Sequence, residues 1–200
     1  MSTPIRVTEV LNYFKEPWYI DWIHRVGRTE ANRVSKAAMK IGTRVDEIIK
    51  ENPLNPDASQ HKKETNEVLV AMGAYQKWLE VYKPKSITPC TRLNATIDGV
   101  EVTGEPDLMV DDVLVDIKCS SKISPSYWIQ VNMYNLLRER HLPQPYWASE
   151  HKVGILRLDK VTGSYEYVVK DYDQKLVDVW CGLMRAFVYY KGVGNDGVDI

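Results

Sequence analysis

The chain has 200 residues, 44% of them hydrophobic, with 26 Lys and Arg against 27 Asp and Glu for a formal net charge of −1. That length and composition suit one α/β domain able to bury a core without disulfide or metal staples. The near-neutral balance argues against a passive DNA-coating protein, whose affinity would rest on many lysine and arginine contacts to phosphate.

No apolar run approaches the roughly 20 residues of a membrane span, so no membrane association is expected. The opening residues Met1 to Arg6 lack the apolar core of a secretion signal, which makes the cytoplasm the expected compartment. Cys90, Cys119 and Cys181 are isolated, with no CxxC or Cys/His spacing for zinc.

In chain order, Thr8 is placed to cap a short helix ending near Phe14. Pro17 suits the first turn of a second helix reaching Arg25. A long helix is expected over Thr29 to Glu51, with Val34, Ala37, Ala38, Ile41, Val45, Ile48 and Ile49 as its apolar stripe. Arg33, Lys36, Lys40 and Arg44 make a neighbouring basic stripe about 16 Å long by helical rise. It is a candidate surface for DNA phosphates, or else an ordinary solvated face. Another helix is expected from Ser59 to Tyr82, with Val68, Met72, Tyr75, Leu79 and Tyr82 on one face.

The period then changes. Ile87 to Ile97, Val100 to Val110 and Val113 to Lys118 read as strands, turned at Asp98-Gly99 and Asp111-Asp112. A helix follows from Ser124-Pro125 to about Arg140, then a loop from His141 to Ser149. Lys152 to Asp159 and Ser164 to Lys170 read as a hairpin, and Asp173 to Lys191 as a closing helix before a loose tail.

The sharpest local signal is Gly104-Glu105-Pro106-Asp107 followed, after eight residues, by Asp116-Ile117-Lys118. A two-residue turn at Asp111-Asp112 sets Met109 against Leu114, Leu108 against Val115 and Asp107 against Asp116. Cross-strand partners share a face, about 5 Å apart, and alternation puts Lys118 on the face of Asp116. Like charges that close repel unless a cation lies between them. Carboxylate oxygens select a hard ion, Mg2+ or Mn2+. The alternative for the same residues is a surface hairpin whose Asp116 and Lys118 form a solvated pair.

With Pro106-Asp107 and Asp116-Ile117-Lys118 in these positions, the sequence resembles the PD-(D/E)XK nuclease superfamily. Gln130 to Tyr134 is similar to the QxxxY motif of its RecB-like exonuclease branch. Ile41-Gly42-Thr43-Arg44-Val45-Asp46 is similar to the G-T-x-(V/L)-H helix of RecB-like and phage-type nucleases, with Asp46 where a His is expected. Gly42, one turn earlier on that side, would let the helix approach the sheet closely. Val7 to Leu11 and Pro17 to Trp22 also resemble the opening of phage-encoded members, so the likeness covers roughly residues 7 to 140. The Glu that many members carry on the first core strand is missing; Thr91 and Arg92 stand there instead.

The resemblance implies a restriction-endonuclease-like core, a mixed central sheet flanked by helices. Residues 1–85 would be a mainly helical part, 86–192 the αβ catalytic core and 193–200 a loose tail of one nuclease domain. It implies Mg2+ or Mn2+ held by Asp46, Asp107, Asp116 and the Ile117 carbonyl, with Lys118 assisting the attacking water and Gln130 and Tyr134 supporting the site. Ser120 and Ser121 would lie near the phosphate. Trp18, Trp22 and Trp128 are candidates for stacking on unpaired bases, or for core packing. The implied activity is exonucleolytic hydrolysis of linear single- or double-stranded DNA in recombination, repair or phage genome processing. It would act in a bacterial or phage-infected cytoplasm, as a homo-oligomer or beside a recombination partner protein. An endonuclease of restriction or junction-resolving type, or a non-catalytic DNA- or protein-binding module, are the alternatives on that fold.

Overall fold

The computed structural model describes residues 3–56, 64–141 and 151–192. The expected helix start at Ser59, the proline-containing loop up to Ser149 and the tail 193–200 fall outside the described residues.

The chain opens with a two-residue strand, β1 (Ile5–Arg6), and then helices α1 (Val7–Tyr13), α2 (Pro17–Val26), α3 (Arg28–Glu51) and α4 (Asn66–Tyr82). Five strands follow: β2 (Ile87–Pro89), β3 (Leu93–Ile97), β4 (Val100–Gly104), β5 (Leu108–Val110) and β6 (Val113–Lys118). Helix α5 (Pro125–His141), strands β7 (Lys152–Leu158) and β8 (Tyr165–Asp171), and helix α6 (Gln174–Lys191) complete the order. The central sheet runs β2-β5-β6-β7-β8, with β6 and β7 parallel and the other pairs antiparallel. A smaller sheet, β1-β4-β3, stands beside it. This is the expected mixed sheet flanked by helices, with a helical N-terminal part. No helix among the described residues is long and apolar enough to cross a membrane.

Alternation along β6 divides two cores. Val113, Val115 and Ile117 pack with Leu108, Val110, Leu156 and Leu158 of the sheet and with the C-terminal half of α3 and the length of α4. Leu114 faces the other way, toward Val131, Met133 and Leu137 of α5 and Trp180 and Phe187 of α6. Two cores of this kind, one on each face of the sheet, bury enough apolar area to hold β6 centrally.

Four expectations change. Thr8 does not cap α1: Arg6 is the cap residue, because β1 pairs in parallel with β4 and leads straight into the helix. The stretch Ile87 to Ile97 is two strands in different sheets, and so is Val100 to Val110. The second break falls at Glu105-Pro106-Asp107, where Pro106 lacks the amide a continuous ladder needs. Helix α3 buries only Ala31, Val45, Ile48 and Ile49; Val34 is exposed and Ile41 half-buried. The start of α3 therefore leaves the core and stands with α2 as an arm.

The hairpin register holds over β5 as derived from the turn, but Asp107, expected to pair with Asp116, stands just before β5 and outside the ladder. Leu108 pairs with Val115, Met109 with Leu114 and Val110 with Val113. Asp111 and Asp112 both take positive φ, 46° and 69°, which costs a non-glycine residue of order 1 kcal/mol. Compensation is visible: the Asp111 carboxylate accepts hydrogen bonds from the amides of Lys85 and Ser86, each 2.8 Å.

Candidate active site

At the end of the β5–β6 hairpin a cleft of about 920 Å³ opens between the α2–α3 arm, the strand ends and α5. Its walls bring together Asp46, Asp107, Asp116, Ile117, Lys118, Ser120, Ser121, Gln130 and Tyr134. These residues are separated by up to 88 positions in the chain, and the fold converges them on one place.

Asp107 stands just before β5, where the strand has been broken by Pro106. One carboxylate oxygen accepts the Ile117 amide at 2.6 Å, tying the acid to β6 across the hairpin. The other lies 3.5 Å from the Lys50 ammonium of α3. Asp116, in the middle of β6, is 2% exposed. Its Oδ1 accepts from Gln130 Nε2 at 3.2 Å, and its Oδ2 lies 2.5 Å from Lys118 Nζ. Lys118 shares the face of Asp116, as alternation requires, and its ammonium also sits 5.0 Å from the centre of the Tyr127 ring.

Gln130 and Tyr134, one turn apart on α5, meet through a 2.9 Å hydrogen bond from the Gln130 amide to the Tyr134 hydroxyl. The same amide nitrogen therefore joins Tyr134 to Asp116. Tyr134 fits because β4 ends on a glycine: a Cβ at Gly104 would come within 2.6 Å of the ring. Gly42 has no such role. A Cβ there would meet nothing within 4 Å, so the close helix–sheet approach expected of it is absent, and Gly42 lies in the cleft wall instead.

Asp46 approaches from α3, on the far side of the hairpin from α5. Its Oδ2 is 3.0 Å from Lys50 Nζ, and its Oδ1 is buried without a hydrogen-bond partner. Burial, and next the negative charge of Asp107, push its carboxyl up to about 7. Desolvation likewise pushes Asp116 up to about 6, against the pull of Lys118. Burial would depress Lys118, but the Asp116 and Asp107 carboxylates hold it above its ordinary value. The site thus stores unfavourable charge, a common property of functional clefts.

Asp46, Asp107, Asp116 and the Ile117 carbonyl are the oxygen donors that could hold a hard cation. No group of three Asp, Glu, His or Cys side chains among the described residues is already disposed as a metal cage. Lysine ammoniums take up the negative charge instead. The donor chemistry still fits a divalent ion: all donors are oxygens, Asp46 Oδ1 is orphaned, and Asp116 Oδ2 meets only the misaligned charge of Lys118.

The basic stripe does not line this cleft. Arg33 pairs with Glu30, and Arg44 pairs with Glu47 and Glu64. Lys36 and Lys40 border a separate shallow depression with Arg44 and Glu47. The α3 face in the cleft carries Val34, Ser35, Ala38, Met39, Gly42, Thr43 and Asp46, one step around the helix. The cations at the cleft are Arg25, Lys118 and Lys160. Lys160 comes from the β7–β8 turn and donates to the Cys119 carbonyl at 2.8 Å. Trp18, 49% exposed, and Trp22 lie on the arm facing the acids, whereas Trp128 packs against the α5–α6 core with Lys170 over its ring. Ser120 donates to the Lys122 carbonyl and Ser121 is exposed. Thr91 and Arg92 fall in the link between β2 and β3, outside both sheets.

Lys50, Lys160 and Glu16 were not singled out from the sequence. Glu16 pins the arm to the start of α5 by accepting from Ser124 and Trp18. For Lys50 a local signal exists, an Asp four positions earlier on the same helix. Its reach to Asp107 depends on packing between α3 and the hairpin.

No described protein family matches the sequence, and no curated protein matches it. Among solved structures the chain is similar to SSO0001, with 11% identity and a TM-score of 0.48 over 96% of this chain and 78% of that one. It is also similar to an alkaline exonuclease (LHK-Exo) from Laribacter hongkongensis, with 14% identity and a TM-score of 0.48 over 94% of this chain and 87% of that one. The complex of LHK-Exo with dAMP gives the same identity and coverage and a TM-score of 0.49.

Proposed function

We propose that this protein is a metal-dependent deoxyribonuclease of the PD-(D/E)XK type, acting as an exonuclease of the RecB-like or phage-type branch. The observation that carries the reading is the convergence of Asp107, Asp116 and Lys118 on one end of the hairpin, with Asp46 opposite and Gln130 behind. Asp46, Asp107, Asp116 and the Ile117 carbonyl would hold Mg2+ or Mn2+. Such an ion polarises a phosphate and lowers the pKa of a water bound to it.

The chain's own residues do the rest. Lys118 stays protonated beside Asp116, with the charge of Asp107 also favouring the ammonium, and would present a positive charge where the attacked phosphate gains negative charge. Gln130 fixes the Asp116 carboxylate through Oδ1 and leaves Oδ2 turned to the lysine. Tyr134 holds the Gln130 amide in place from below. Arg25, Lys160, Ser120 and Ser121 ring the cleft mouth and are assigned to phosphates of the DNA backbone, with Arg33, Lys36, Lys40 and Arg44 as an outer flank. Trp18 and Trp22 are assigned to unpaired bases.

The test is incubation of the purified protein with end-labelled linear and covalently closed circular DNA, with Mn2+ or with chelator. Mn2+-dependent loss of linear DNA with circles intact is expected. Cut circles would convert the assignment to an endonuclease, and intact linear DNA under all conditions would refute it.

A further inference from the structure

We infer that Lys50, which reaches Asp46 and Asp107 from outside the cleft lining, is a built-in counter-ion that holds carboxylate oxygens a divalent cation would take and must release them for that cation to bind. The inference rests on the proposed metal site and concerns how that site is regulated. Lys50 Nζ lies 3.0 Å from Asp46 Oδ2, 3.5 Å from Asp107 Oδ1 and 4.0 Å from Glu105 Oε1. One ammonium therefore serves carboxylates from α3, from the residue before β5 and from the broken link after β4. Two of these are the acids assigned to the metal.

An Asp–Lys pair at this helical spacing on a surface would be an ordinary minor contact. This one differs in three respects. The lysine side chain is only 21% exposed, so its charge acts where water screens poorly. Asp46 spends one oxygen on it while the other stays orphaned, so the pair leaves the acid half-used. And the third partner, Glu105, is 46% exposed at the rim, which gives the ammonium somewhere to go. A long flexible stem lets Lys50 swing from Asp107 to Glu105 without losing a carboxylate. Glu105 also pairs with Arg92 through its other oxygen at 3.1 Å, so three carboxylates face two cations and the cluster keeps one net negative charge when all three are ionised, which still attracts a divalent ion. Its affinity is the difference between what the acids offer it and what they already give Lys50.

The experiment is Mn2+ titration by calorimetry of the wild-type chain, Lys50→Met and Lys50→Gln, with thermal unfolding in chelator and in Mn2+. Removing one positive charge a few ångströms from a divalent ion is expected to tighten Mn2+ binding about tenfold or more. The metal-free variants are expected to melt lower than wild type and to gain more from Mn2+. A merely structural lysine would loosen binding when removed, not tighten it. Binding by the wild type with equal or weaker binding by both variants would overturn the role of Lys50 and leave the metal site standing. Absence of Mn2+ binding from all three proteins would overturn the metal site and this inference with it.

Discussion

Gly104→Ala combined with Tyr134→Ala examines the packing that sets the site's back wall. The added Cβ at position 104 would fall 2.6 and 2.8 Å from two Tyr134 ring carbons and 3.0 Å from a Leu137 methyl. Ordinary contact begins near 3.4 Å, so the ring must retreat by several tenths of an ångström into a core where Tyr134 is 4% exposed. Overpacking of this kind costs about 1–3 kcal/mol. Tyr134→Ala alone leaves a cavity and costs about 3–5 kcal/mol, by analogy with other buried aromatic truncations. In the double variant the new methyl meets no ring, so the cost should fall short of the sum by about 1–3 kcal/mol. Urea unfolding of the four proteins, followed by circular dichroism, measures the coupling. Under the proposed nuclease function, Gly104→Ala should also slow DNA cleavage about tenfold, because a shifted ring lets go of Gln130 and through it Asp116. Additive costs, or a Gly104→Ala protein as stable as wild type, would refute the reasoning.

Two further outcomes concern stability. Asp46 and Asp116 bind protons more readily folded, at about 7 and about 6, than unfolded. Their contribution is therefore complete below the ordinary carboxylate range near ~4 and is lost as pH rises through those values. In chelator the protein should be less stable at pH 8 than at pH 5 by on the order of 2 kcal/mol, discounted for the partial exposure of Asp46; a rise over that interval in urea unfolding would contradict it. Gly42 lies in a helix interior with open space where its Cβ would be. Gly42→Ala should therefore stabilise the protein by about 0.5–1 kcal/mol in the same assay, and a loss would mean that the helix does need close approach there.

The hairpin is legible in the sequence because its information is local. A two-residue turn and side-chain alternation suffice to set Leu108 against Val115 and to put Lys118 on the face of Asp116. The α5 pair is legible for the same reason, since Gln130 and Tyr134 lie one turn apart. The strand breaks are harder: Cys90 to Arg92 and Glu105 to Asp107 lie inside stretches of continuous β pattern, and only Pro106 hints that the chain changes sheets. The reach of Lys50 to Asp107 and of Lys160 to Cys119 is invisible for a different reason. Each lysine comes from an element whose placement is set by tertiary packing, α3 over the hairpin and the β7–β8 turn beside Cys119. Gly42 shows the converse, a motif residue whose expected packing partner is not there.

The central claim of the proposed function is that Lys118, paired with Asp116, supports hydrolysis of DNA rather than folding or metal capture. Single-turnover cleavage of linear DNA by Lys118→Met in saturating Mn2+ tests it most directly. The account predicts a rate at least about 100-fold below wild type, the scale of losing one charge-stabilising donor, with Mn2+ binding retained. Cleavage at the wild-type rate by the variant would contradict it.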